Sequence, residues 1–148
     1  MALSEFYEST ILEVNASFGF HSFPCAPEAI TERIGLQPDK TSTKDHPHRI
    51  GSDGQRILVP FSSWSIFSSS PSKDINEHLR QLLVRLGTAK LPFDPSWGEP
   101  HFGVLWKCSY LYAGTGPFYE PDVVTGIAAF TASLYQDIYQ VDEANDEE

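Results

Sequence analysis

The chain has 148 residues, 41% of them hydrophobic and 13% aromatic, with twenty acidic against ten basic side chains and a formal charge of −10. Such a charge repels nucleic acid and anionic membrane at long range and speeds encounter with basic partners. The length fits one domain with its own core. No run reaches membrane-span length, and the N-terminal MALSEFYEST lacks the basic flank and apolar stretch of a signal peptide. We therefore expect a cytoplasmic chain with a single domain over residues 1–141. Residues 142–148 hold five acids, Asp142, Glu143, Asp146, Glu147 and Glu148, and read as a solvated acidic tail. Removing those five charges leaves −5 on the remainder. Cys25 and Cys108, without a secretion signal, read as reduced thiols.

Residues 5–14, EFYESTILEV, are β-branched and aromatic enough for a first strand. A short helix starts at Pro27, whose fixed φ suits the first helical position. It buries Ile30 and Ile34 and stops at Gly35 ahead of Pro38. Residues 39–55 are polar and contain Gly51 and Gly54, which predicts a long loop. RILVPF and WSIFSSS read as two short strands, with Trp64 and Ile66 on one face. Ile75, Leu79, Leu82, Leu83 and Leu86 recur at helical spacing, after possible caps at Ser70, Ser72 or Asp74 and before a stop at Gly87.

Residues 102–112 alternate, with Phe102, Val104, Trp106, Cys108, Tyr110 and Tyr112 on one face, and predict a half-buried antiparallel strand followed by a glycine turn at Gly114 and Gly116. Pro121 and Asp122 open a third helix carrying Val123, Val124, Ile127 and Phe130, and SLYQDIYQV reads as a final strand. The expected order is β-α-β-β-α-β-α-β: an α+β class with two to three helices on an antiparallel sheet, its first six elements following a ferredoxin-like plan.

Three segments, ITERIGLQPDK, the stretch from WSIFSSS through DINEHLRQLLVRL, and SLYQDIYQ, follow one another in an order and spacing that resembles the bacterial family designated domain of unknown function 4279. The resemblance covers nearly the whole chain, except that the long loop departs from the pattern. It implies an α+β domain with no established activity. Some members of such small families look like immunity proteins encoded beside toxins, which directs attention to partner binding.

No catalytic constellation emerges from the residues themselves. His46 and His48 lie two apart in the predicted loop, with His21, His78 and His101 scattered elsewhere, and none of these spacings matches a zinc motif. The serine runs lack a nucleophile elbow, and the glycines form no phosphate-binding fingerprint. No metal and no cofactor is expected. Asp137 interrupts the apolar final strand between Tyr135 and Tyr139. An acid framed by two tyrosines on an exposed face would anchor an arginine or lysine of a partner; the bland reading is a carboxylate paired internally.

Trp97, between Pro95 and Gly98 and near Asp94 and Glu99, would suit an interface if exposed. The expected function is a non-enzymatic acidic domain that binds a basic protein partner, most concretely an immunity protein occluding a toxin. Asp94, Glu99, Glu120, Asp122 and Asp137 would give electrostatic complementarity, with Trp97, Tyr135 and Tyr139 as anchors. The alternative is a small-molecule sensor with a pocket between helices and sheet. Nucleic acid and membrane are not expected partners, and the sequence leaves the oligomeric state open.

Overall fold

The computed structural model describes residues 10–110 and 116–141. Strand β1 (Ile11–His21) is followed by helix α1 (Pro27–Ile34), strands β2 (Lys40–Ser42), β3 (Pro47–Ile50), β4 (Arg56–Leu58) and β5 (Ser63–Phe67), and helix α2 (Ile75–Leu86). A 3-10 turn (Pro95–Trp97), strand β6 (His101–Cys108), helix α3 (Pro121–Ala129) and strand β7 (Ser133–Gln140) complete the order. The α+β class is as expected.

Five strands form one sheet in the order β2-β5-β1-β6-β7, while β3 and β4 make a separate two-stranded hairpin. β1 is antiparallel to both β5 and β6, and β2 is antiparallel to β5. β2 therefore runs parallel to β1 with β5 between them, and β5 runs parallel to β6 with β1 between them. Two interlocked split β-α-β units result, which is the ferredoxin-like plan. The β3–β4 hairpin is inserted between β2 and β5, and α3 with β7 is added beyond β6. The β6–β7 pair is parallel, so the expected all-antiparallel sheet is a mixed one. The physical reason is α3: a helical crossover returns the chain to the same end of the sheet before the next strand begins.

Local chemistry explains the helix limits. α1 has Pro27 in its first turn and ends at Gly35, whose φ of 81° is left-handed and whose N–H returns to the Thr31 carbonyl. The Asp74 side chain accepts from the Asn76 N–H and caps α2. Ser70 and Ser72, the other cap candidates, instead bond the approaching chain at the N–H groups of Ser72 and Asp74. Val14, Ala16, Phe18 and Phe20 of β1, Trp64 and Ile66 of β5, and Phe102, Val104, Trp106 and Cys108 of β6 form one buried cluster with Ile30, Ile34, Leu79, Leu82, Leu86, Val123 and Ile127 of the helices. α1, α2 and α3 thus lie on one face of the sheet; the opposite face carries none of these three and is helix-free among the described elements.

Several sequence expectations are corrected. The first strand begins at Ile11 and runs to His21, whereas residues 5–9 lie outside the described residues. The predicted loop at 39–55 contains β2 and β3, and RIL belongs to the exposed hairpin, so the second strand of the ferredoxin-like plan is Lys40–Ser42. β6 ends at Cys108; Tyr110 lies beyond it and is exposed, and Tyr112 and Gly114 lie outside the described residues. Val124 faces solvent. Cys25 and Cys108 are both free thiols. No helix among the described residues is long and apolar enough to cross a membrane.

Candidate functional site

Because side chains alternate along a strand, burying Phe102, Val104, Trp106 and Cys108 sends His101, Gly103, Leu105 and Lys107 to the helix-free face. The register continues that face across three strands. Ser17 of β1, Gly103 of β6 and Tyr135 of β7 make one row; Asn15, Leu105 and Asp137 make the next; Glu13, Lys107 and Tyr139 make the third. Tyr135, Asp137 and Tyr139 are all exposed, since β7 lies at the edge of the sheet. Lys107, nearest in register to this group, is engaged on its other side by Glu13 at 3.2 Å. The Asp137 carboxylate has no hydrogen-bond or ion-pair partner among the described residues.

At one end of the face, four rings cross the strands in series. Phe61 lies 5.8 Å from His21, His21 lies 4.8 Å from His101, and His101 lies 5.9 Å from Tyr135. Burial, and then the neighbouring His21, hold the His101 imidazole below its ordinary pKa. Its Nδ1 is buried and has no hydrogen-bond partner among the described residues. The floor beside these rings must stay low. A Cβ on Gly19 would overlap the Trp64 carbonyl oxygen, and one on Gly103 would lie 2.7 Å from Ser17 Oγ. The described residues contain no group of three or more His, Cys, Asp or Glu side chains placed to hold a metal ion.

The remaining residues expected at an interface are dispersed, and most have internal work. Asp94 accepts from the Ser96 N–H, capping the 3-10 turn, and pairs with Arg33. The Ser96 bonds first, and then Arg33, hold its carboxyl below the usual range. Trp97 is 3% exposed, which corrects the expectation of an interface tryptophan. Its ring packs edge-on against Phe20 at 5.4 Å, beneath the Arg33 guanidinium at 5.5 Å. Glu99 accepts from the Ser133 hydroxyl at the start of β7.

Glu120 and Asp122 both bind Arg80, at 2.8 Å and, through two bonds, at 2.9 and 3.0 Å. Arg80 thereby clamps α2 to the N-terminus of α3, and its bonds hold the Asp122 carboxyl low. Of the eight residues, the fold brings Tyr135, Asp137 and Tyr139 together on one open surface. It sets Asp94 and Trp97 with α1, and Glu120 and Asp122 with α2.

One Ser–His contact exists away from this face. Ser68 Oγ lies 2.7 Å from His78 Nδ1, and His78 Nε2 lies 2.6 Å from the Ser72 carbonyl oxygen. A carbonyl only accepts, so Nε2 carries the proton and the Ser68 hydroxyl donates to Nδ1. The same hydroxyl accepts from the Ala16 N–H, and His78 is 1% exposed. The ring is sealed in the core, where it ties the chain after β5 to α2. Strand parity would have revealed the face partners His21, Leu105 and Lys107 in the sequence, but only once the buried set had been fixed.

The chain belongs to the family described as Domain of unknown function (DUF4279), whose model matches residues 12–141. No curated protein matches the chain, and no solved structure does.

Proposed function

We propose that this member of the family is a non-enzymatic binding domain of the cytoplasm. It captures a basic protein partner on the helix-free face of its sheet, most concretely as an immunity protein that covers the active site of a toxin. The observation that carries the reading is Asp137, exposed between exposed Tyr135 and Tyr139 and unpartnered among the described residues. Tyrosine supplies rigid amphipathic contact area, and a carboxylate between two rings accepts a charge-assisted hydrogen bond from arginine or lysine as water leaves. The overall charge of −10 draws a basic partner toward it. Between the helices and the sheet, Phe93 stacks on Phe130 at 5.9 Å and meets Phe20 edge-on at 5.2 Å, aromatic packing that favours the surface reading over a pocket.

The test is affinity capture from the native host with the wild-type chain and Asp137→Lys, followed by binding kinetics with the purified partner. A stoichiometric basic protein bound by the wild type and lost by at least tenfold in Asp137→Lys supports the proposal. Undiminished binding by the variant removes this face from it.

A further inference from the structure

Strand β7 closes one side of the five-stranded sheet, and no strand of the described residues covers its outer edge. An edge strand presents unpaired N–H and C=O groups that template pairing with another chain. Proteins blunt such edges with short length, charged side chains (lysine above all), proline, bulges or a covering helix or loop. The opposite edge is blunted: β2 is three residues long and begins with an exposed Lys40. β7 is not. Its sequence SLYQDIYQ has no lysine, proline or glycine, its eight residues pair with β6 without a bulge, and Tyr135, Ile138 and Tyr139 are exposed.

The order of side chains within β7 points to what covers it. A two-fold axis through Gln136 sets a second β7 antiparallel to the first, with Gln136 opposite Gln136, Tyr135 opposite Asp137, Leu134 opposite Ile138 and Ser133 opposite Tyr139. Opposed residues of an antiparallel pair share a face, and each of these pairs does. On the helix-free face a tyrosine hydroxyl meets a carboxylate acceptor, and symmetry makes this happen twice. On the helix-bearing face, where Leu134 already packs against the core, two aliphatic side chains meet. The same-face register centred on Asp137 instead sets two carboxylates directly opposite, which is destabilising.

We infer that β7 is a homodimerisation edge: a second copy of this chain pairs with it antiparallel about Gln136 and joins the two five-stranded sheets into one. The contact is isologous and closes on itself, so assembly stops at the dimer. It lies at the small end of interface sizes, so the association is reversible and depends on concentration. The pairing does not depend on the basic partner proposed above, although it would merge two Tyr135–Asp137–Tyr139 groups across the axis.

The experiment is size-exclusion chromatography with light scattering from about 5 µM to about 500 µM, a range that spans micromolar dissociation constants. The expected result is a shift from the mass of one chain to that of two. Opposed Cα atoms of an antiparallel pair lie about 4.5–5.5 Å apart, within disulfide range. Gln136→Cys in a Cys25→Ser background is therefore expected to form a covalent dimer under mild oxidation. Ile138→Lys, at an exposed position and with folding checked by circular dichroism, should abolish both. A monomer at every concentration overturns the inference, as does a dimer that persists in Ile138→Lys. A dimer that Gln136→Cys fails to cross-link overturns the register.

Discussion

Trp64 is fully buried, and its indole N–H donates to the Thr31 hydroxyl at 2.9 Å, so one polar atom joins the sheet to α1 inside the core. Thr31→Val keeps the shape and removes the acceptor, leaving a buried donor unsatisfied at a cost of about 1–3 kcal/mol. Urea unfolding is expected to show a loss of that order, with Thr31→Ser recovering most of it. His101 gives a prediction in pH. Its folded pKa lies below the ordinary 6.5, so the folded protein takes up its proton later than the unfolded chain does. Above pH 6.5 both states are neutral there and the contribution is fully present. As pH falls below 6.5 the unfolded chain protonates first, and stability declines until the folded pKa is passed. His21 and Tyr135 face the ring, and Glu99 lies beyond Ser133, the register partner of His101. Unfolding midpoints between pH 8 and pH 5 should fall for the wild type and fall less for His101→Gln. Equal slopes would remove His101 as the cause.

Among the elements, the β3–β4 hairpin stands apart from the rest. Every residue of both strands is exposed, and its closing bonds, Asp45 N–H to Val59 O and Val59 N–H to His46 O, both at 2.9 Å, are internal. Replacing residues 45–59 by an Asn-Gly link suited to a tight hairpin turn should leave the sheet folded, with a melting temperature within about 4 °C of the wild type, equivalent to about 1 kcal/mol. A larger loss would mean that the hairpin supports the domain. The hairpin and β2 are also what the sequence hid. Lys40–Ser42 is a polar edge strand held in place by β5, so no apolar period marks it, and RIL in the hairpin imitates a core strand without being buried. α2 was legible because its five apolar residues recur at helical spacing and four of them, Ile75, Leu79, Leu82 and Leu86, are buried, and β6 because its alternation is unbroken over Phe102–Cys108. The Tyr135–Asp137–Tyr139 group was legible by strand parity alone. The burial of Trp97 was not, because it depends on Phe20 and Arg33, both distant in sequence.

Over the whole molecule, a charge of −10 is unevenly available to a partner. Arg33, Arg80 and Arg85 pair with Asp94, Glu120, Asp122 and Asp39, three cations among four acids, whereas the Asp137 carboxylate has no cation paired with it among the described residues. Long-range attraction sums every charge, but it is screened beyond about 8 Å at physiological ionic strength. Close docking depends on acids that can still accept a new cation. Association with the proposed basic partner should therefore slow steeply as salt rises, while dissociation changes little. Among single acid-to-amide variants, Asp137→Asn should weaken binding more than Glu120→Gln or Asp94→Asn, because only the first removes a carboxylate without an internal cation. Stopped-flow association rates at several ionic strengths check both parts. A rate indifferent to salt would defeat the electrostatic capture. A larger loss in Glu120→Gln than in Asp137→Asn would move the contact from the open sheet to the surface where Arg80 clamps α2 to α3.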